Sequence, residues 1–398
     1  MPVMSTFRAQ QGKASLTAIL AIVALISAVG FWMAWKVVRD KMETVQTHGL
    51  PPAAATSDAA FLEAWSTDMF PPAIYEMALA PGQPGEFFAL DNDRIYRFDS
   101  SGAQRDKFAA PSKSSRLATD PSGQVPYLLV VSRKTKWTGA IDYVLTTDEF
   151  LHALDTRGRE VWTKRFDPKD VSALEAVPAN LGRTAVILLS TGKRILCFDL
   201  EGKELWVNPL WHHPGTLAVA DLDGDGVDDI LAAQAPLLQI VQIDSRGRTV
   251  GPWAKGDGPS RLRAARIQRT GEVAVASLRQ VFGRQTGGVQ HRLAFFDSRG
   301  SELGEAGLAP GASPLSYSPL AAMDVDGTGR KSWVIALGDG SIHVYSPSGQ
   351  HRAQLYTGKR LLTFLVVPQQ TGTDLLVTAT SRGLTGWRPV PSRMTPPN

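Results

Sequence analysis

The stretch Ala153-Leu154-Asp155-Thr156-Arg157-Gly158-Arg159-Glu160-Val161-Trp162 is written as two short strands around a tight turn. An aspartate at the start of such a turn accepts its backbone N–H groups, and a glycine takes the positive φ that the turn requires. The same pattern recurs at Phe98-Asp99-Ser100-Ser101-Gly102, Phe198-Asp199-Leu200-Glu201-Gly202, Ile243-Asp244-Ser245-Arg246-Gly247 and Phe296-Asp297-Ser298-Arg299-Gly300. Tyr345-Ser346-Pro347-Ser348-Gly349 repeats it with serine for aspartate. Ahead of each turn lies a short apolar run, at residues 87–90, 127–131, 185–189, 230–233, 273–276 and 333–337, and a seventh run follows at 375–378. Runs rich in Val, Ile and Leu between Gly, Pro and Asp, without helical periodicity, read as strands. Seven units recurring about every 40–50 residues predict an all-β fold, a seven-bladed β-propeller of four-stranded blades.

The strand after the turn carries tryptophan in Glu160-Val161-Trp162 and Glu204-Leu205-Trp206, but the seventh unit stops near Gly386-Trp387-Arg388-Pro389 before any such strand. Leu62-Glu63-Ala64-Trp65 stands just ahead of the first unit. This segment is expected to supply the outer strand of the last blade and so remove an open sheet edge. The propeller then spans residues 61–390, with a C-terminal tail at 391–398. The turn-and-tryptophan unit at 153–162 resembles the PQQ-type (quinoprotein-like) propeller repeat. Asp221-Leu222-Asp223-Gly224-Asp225-Gly226-Val227-Asp228-Asp229 resembles the FG-GAP calcium loop of integrin-α-type propellers.

The N-terminal part has another character. Residues 14–35 carry no charge and are mostly Leu, Ile, Val and Ala, enough for a helix across a hydrocarbon core of roughly 30 Å. Trp32 and Trp35 end it at interfacial positions, and Lys36 closes it. A cleaved signal peptide is the competing reading, but the apolar run is longer than the usual h-region. The expected order is a short cytoplasmic segment at 1–13, a single transmembrane α-helix at 14–36, a linker at 37–60, then the propeller. Basic residues flank the span on both sides, so the propeller is assigned to the extracytoplasmic side from its calcium-type loop, since extracellular calcium modules work at about 10⁻⁴–10⁻³ M.

The chain of 398 residues has 42 Lys+Arg against 38 Asp+Glu, a net charge of +4, and no nucleic-acid partner is expected. Its single cysteine, Cys197, excludes an intramolecular disulfide and a cysteine-based metal cluster, and its apolar strand makes it a buried small hydrophobe. Five carboxylates within nine residues repel one another unless a cation joins them, and calcium accepts 6–8 hard oxygens. The FG-GAP resemblance implies Asp221, Asp223, Asp225, Asp229 and the carbonyl of Val227 as ligands, with Asp228 pointing outward. The sixth unit repeats the loop at residues 324–332 with Thr328 and Ser332 replacing two of these carboxylates.

On the opposite face, blades 2 and 5 carry insertions read as loops. Arg133, Lys134, Lys136, Trp137, Phe282 and Arg284, with Trp211 and His212 of a blade connection, form the candidate binding face. The PQQ-type resemblance alone implies a dehydrogenase of eight blades with a vicinal cysteine pair. Seven blades and one cysteine argue against it, so PQQ is not expected. No nucleophile elbow or other catalytic motif stands in the sequence. The reading is therefore a membrane-anchored, non-catalytic module that binds an envelope protein or glycan. The alternative is a PQQ-dependent dehydrogenase or other propeller enzyme.

Overall fold

The computed structural model describes residues 60–395 apart from 69–72, 112, 139–143, 168–174, 183, 192, 210–216, 235–238, 256–258, 269–270, 283–288, 309–313 and 316–318. The membrane span expected at 14–36 and its flanking segments lie outside the described residues. No described helix is long and apolar enough to cross a membrane.

Seven four-stranded antiparallel sheets follow one another along the chain. In blades 1 to 6 the spatial order of strands is the chain order. The second strands are the apolar runs of the sequence, for example Ala185–Ser190 in blade 3 and Leu375–Ala379 in blade 7. The first strands of successive blades approach one another all round, and that of blade 1 (Glu76–Leu79) meets that of blade 7 (Thr363–Val367), so the ring is closed. Closure is completed as the sequence predicts. Phe61–Asp68 pairs antiparallel with Gly383–Pro389, in a register running from Phe61 opposite Pro389 to Asp68 opposite Gly383.

The hydrophobic core is not one mass but seven wedges, each between two adjacent blades. This follows from alternation: successive strand residues point to opposite sheet faces, and each face of a blade meets a neighbour. The continuous apolar run Phe87-Phe88-Ala89-Leu90, fully buried, thus feeds two wedges, one toward blade 7 and one toward blade 2.

The turn motif also joins blades. Trp162 Nε1 of blade 2 donates to the carbonyl of Leu200 in the turn of blade 3 at 2.7 Å. Trp65 does the same to Ser100, Trp206 to Ser245 and Trp253 to Ser298, each reaching the next blade round the ring. The indole rings of Trp65, Trp162 and Trp206 lie where a side chain on Gly102, Gly202 or Gly247 would stand. Those glycines have φ of +80°, +77° and +78°. The glycine therefore serves both the left-handed turn and the indole that crosses to it.

Residues after the ring dock on it. Pro391–Arg393 forms a 3₁₀ turn, Met394 is buried between blades 6 and 7, and Thr395 exchanges backbone and side-chain hydrogen bonds with Arg352.

Candidate functional site

The acidic loop joins the first two strands of blade 4, Leu217–Ala220 and Asp229–Gln234. Asp221 is its anchor: the Gly224 N–H donates to one carboxylate oxygen at 2.7 Å and the Gly226 N–H to the other at 3.1 Å. Gly224 and Gly226 sit at φ +81° and +86°, which a side chain would strain. This fold brings carboxylate oxygens of Asp221, Asp223 and Asp225 within 4.8 Å of one another, a spacing that ligands 2.3–2.6 Å from one calcium ion can adopt. Arg266 of blade 5 adds a guanidinium 3.4 Å from Asp221.

Asp229 stands apart from this group, accepting from the Leu222 N–H at 3.1 Å and the Gln242 amide at 2.7 Å. Burial, reinforced by the charges of Asp223 and Asp225, pushes its carboxyl above the usual range. Asp228, expected to point outward, instead turns toward blade 3. It accepts the Asn180 N–H at 2.6 Å and returns its own N–H to the Asn180 carbonyl at 2.7 Å. A half-buried carboxylate needs such a partner, and the neighbouring strand end offers a backbone donor that the local sequence does not reveal. Burial, with the charge of Asp221, raises its pKa too.

The blade 6 loop is folded alike. Asp324 accepts from the Gly327 and Gly329 N–H groups at 2.8 and 2.7 Å. Here a protein cation spans the loop. Arg352 reaches Asp326 at 3.0 Å and Ser332 at 2.7 Å, and these stand where blade 4 has Asp223 and Asp229. Arg352 follows the residue paired with the end of its blade's third strand. The same position in blade 4 is Val250, 63% exposed.

The opposite face differs from expectation. Residues 133–138 are not a loop but strand, and so are 279–282. Leu128–Thr138 pairs with Val144–Leu154 along its whole length, and Val273–Phe282 pairs with Val289–Asp297. Beyond the four-stranded blade, Lys134–Thr138 opposite Val144–Asp148 continues as a two-stranded ribbon about 17 Å long. β-Branched Thr135, Thr138, Val144, Thr146 and Thr147 favour extended pairing, although lysines and a glycine interleave them in the sequence. Arg133 pairs with Glu149 across the hairpin at 2.7 Å, and Lys134 is exposed. Lys136, Trp137 and Phe282 lie on these strands by backbone, whereas Trp211, His212 and Arg284 lie outside the described residues.

Cys197 is wholly buried between blades 3 and 4, and burial pushes its thiol up to about 12, so it is no nucleophile. One polar cluster was not singled out by sequence: Ser132, His152 and Glu160, hydrogen-bonded in series where blades 1 and 2 meet.

No protein-family profile matches the chain. Human Protein FAM234B is 31% identical over 106 residues, covering 24% of this chain and 17% of that protein, so the matched part is a minor share of the relative. Among solved structures, the chain is similar to BBS1N crystallised in complex with ARL6DN. The identity is 14%, the TM-score 0.54, and the match covers 83% of this chain and 97% of that one. The Pan2 WD40 domain of Neurospora crassa matches at 13% identity and TM-score 0.52, over 87% of this chain and 98% of the other. The WD40 domain of Toxoplasma gondii coronin gives 12% and 0.52, over 84% and 89%. The likeness is one of fold.

Proposed function

We propose that the chain is a membrane-anchored, extracytoplasmic propeller that binds an envelope protein or a glycan through one face of the ring and carries a structural calcium ion in blade 4. The observation that carries the binding reading is the pair of lengthened central hairpins in blades 2 and 5, projecting from the same face while the hairpin of blade 3 pairs over only four positions. Ribbons that extend beyond the four-stranded blades offer recognition surface on a rigid frame. BBS1N, a propeller of similar fold, is itself crystallised with a protein partner.

Replacing Thr135–Thr147 by a two-residue turn, which keeps the buried Asp148 and its ion pair with Arg165, is expected to leave the melting temperature within about 2 °C while removing crosslinks formed in intact membranes. Retention of every crosslink by the shortened chain overturns this use of the face. Protease added outside right-side-out spheroplasts is expected to degrade the propeller; full protection reverses the topology.

The calcium proposal rests on the convergence of Asp221, Asp223 and Asp225 and on the contrast with blade 6, where Arg352 spans the corresponding loop. In blade 4 the ion would join carboxylates whose mutual repulsion otherwise opposes folding. An ion bound only by the folded state stabilises by RT ln(1 + [L]/Kd), about 1.4 kcal/mol at tenfold excess. Millimolar calcium is therefore expected to raise the melting temperature, and Asp223→Ala with Asp225→Ala to abolish the rise. Calorimetry with no calcium heat for the parent returns the loop to a plain acidic turn.

A further inference from the structure

We propose that Ser132, His152 and Glu160 form a nucleophilic site that hydrolyses small acyl esters. The three residues come from the second, third and fourth strands of blade 2, in the regions Leu128–Thr138, Val144–Leu154 and Glu160–Phe166. His152 is opposite Val130, one diagonal step from Ser132, and Glu160 is opposite Leu154. All three share the sheet face turned toward blade 1. Ser132 Oγ is 2.8 Å from His152 Nε2, and His152 Nδ1 is 2.8 Å from Glu160 Oε2.

The hydrogen bonds dictate the tautomer. Nδ1 faces the carboxylate of Glu160 and, at 3.0 Å, the Thr163 hydroxyl, whose own proton is directed to the Leu151 carbonyl at 3.3 Å. Both neighbours accept, so Nδ1 carries the proton and Nε2 is left as the base that accepts from Ser132 Oγ. That is the nucleophile–base–orienter order of covalent acyl transfer, here on strands and not on a strand-to-helix elbow.

The network lines an open groove of about 410 Å³, within the size range of small-molecule sites. Its walls include Phe150, Leu154, Ala110 and Pro111, which suit a short apolar acyl group, and Lys134, the cation available to a developing oxyanion.

The chemistry balances with water as the second reactant. Ser132 Oγ bonds to the ester carbonyl carbon as its proton passes to His152 Nε2. The tetrahedral intermediate collapses, the C–O bond to the leaving alcohol breaks, and Nε2 returns the proton to that alkoxide. Water then adds to the acyl-serine, again giving a proton to Nε2, and the carboxylic acid leaves as Ser132 regains its proton. Glu160 acts through His152 as a positioning residue.

The test uses the purified full-length chain, a biotinylated fluorophosphonate probe and p-nitrophenyl acetate and butyrate. One adduct is expected, mapped by mass spectrometry to Ser132 and absent after heat denaturation. Ser132→Ala is expected to abolish both labelling and hydrolysis, and His152→Gln to slow labelling at least about 100-fold. Glu160→Gln is expected to lower kcat about tenfold with KM unchanged, which a merely structural loss would not do selectively. Folded wild-type protein without an adduct at Ser132 overturns the proposal, as does full hydrolysis by a folded Ser132→Ala chain. Should that variant fail to fold, adduct mapping on the wild-type protein decides alone.

Discussion

Deleting Phe61–Asp68 is expected to lower the melting temperature by more than about 7 °C and to produce aggregation on warming. The deletion removes the outer strand of blade 7 and exposes the ladder of Gly383–Pro389, an unpaired edge that recruits other chains. It also removes Phe61, which is 2% exposed between blades 6 and 7 and whose burial contributes roughly 2–3 kcal/mol. Trp65 goes with it, and with Trp65 the bond to Ser100 that ties blade 7 to blade 1. Together these losses exceed about 5 kcal/mol, and each kcal/mol moves the midpoint of a ring this size by about 1.4 °C. Differential scanning calorimetry with light scattering reads the result. A deletion variant that melts with the parent would show that the ring closes without this strand.

Arg352→Met is expected to destabilise by about 3 kcal/mol at neutral pH. The guanidinium is nearly inaccessible and answers three groups at once: the Asp326 carboxylate, the Ser332 hydroxyl and the Thr395 carbonyl. Methionine fills much of the same space but leaves the carboxylate without its counter-charge, and breaking a buried pair in this way costs about 3–5 kcal/mol; partial exposure of Asp326 places it at the low end. The pH dependence has a definite sign. Burial alone would raise the pKa of Asp326, but the Thr328 hydroxyl and the Arg352 guanidinium outweigh it and hold the carboxyl below its ordinary value. A depressed carboxyl contributes stability above its unfolded pKa and loses it as pH falls through the folded value. The gap between parent and variant is thus full at pH 7 and closes only below the usual carboxylate range. Urea melts at several pH values test this; a gap independent of pH would assign the loss to packing instead.

The architecture was legible because its determinants are local and repeated. Asp155 accepts the Arg157 and Arg159 N–H groups at 2.9 Å, and Gly158 takes φ +80°, within one five-residue turn. Such a turn forms the same way wherever the chain places it, so counting the turns and their apolar runs counted blades. The lone tryptophan segment ahead of the first unit likewise announced the closing strand, because a seventh sheet short of one strand has an edge to fill.

The sites needed more than local chemistry. Glycine spacing shaped the blade 4 loop around Asp221, yet which way Asp228 turned depended on the backbone of Asn180, a residue of the preceding blade. That Arg352 answers Asp326 from 26 positions away depended on strand register in blade 6, and no spacing in the loop itself records it. Ser132, His152 and Glu160 are separated by 20 and 8 residues and meet only because three strands pair in one register. Lengthening of the blade 2 hairpin was likewise settled by cross-strand pairing between two segments that each look polar alone. Sequence by itself determined the seven blades, their turns and the strand that closes them, since those rest on interactions spanning a few residues. Only the tertiary structure decided which charged and nucleophilic groups converge, because convergence is set by register and by the packing of one blade against the next.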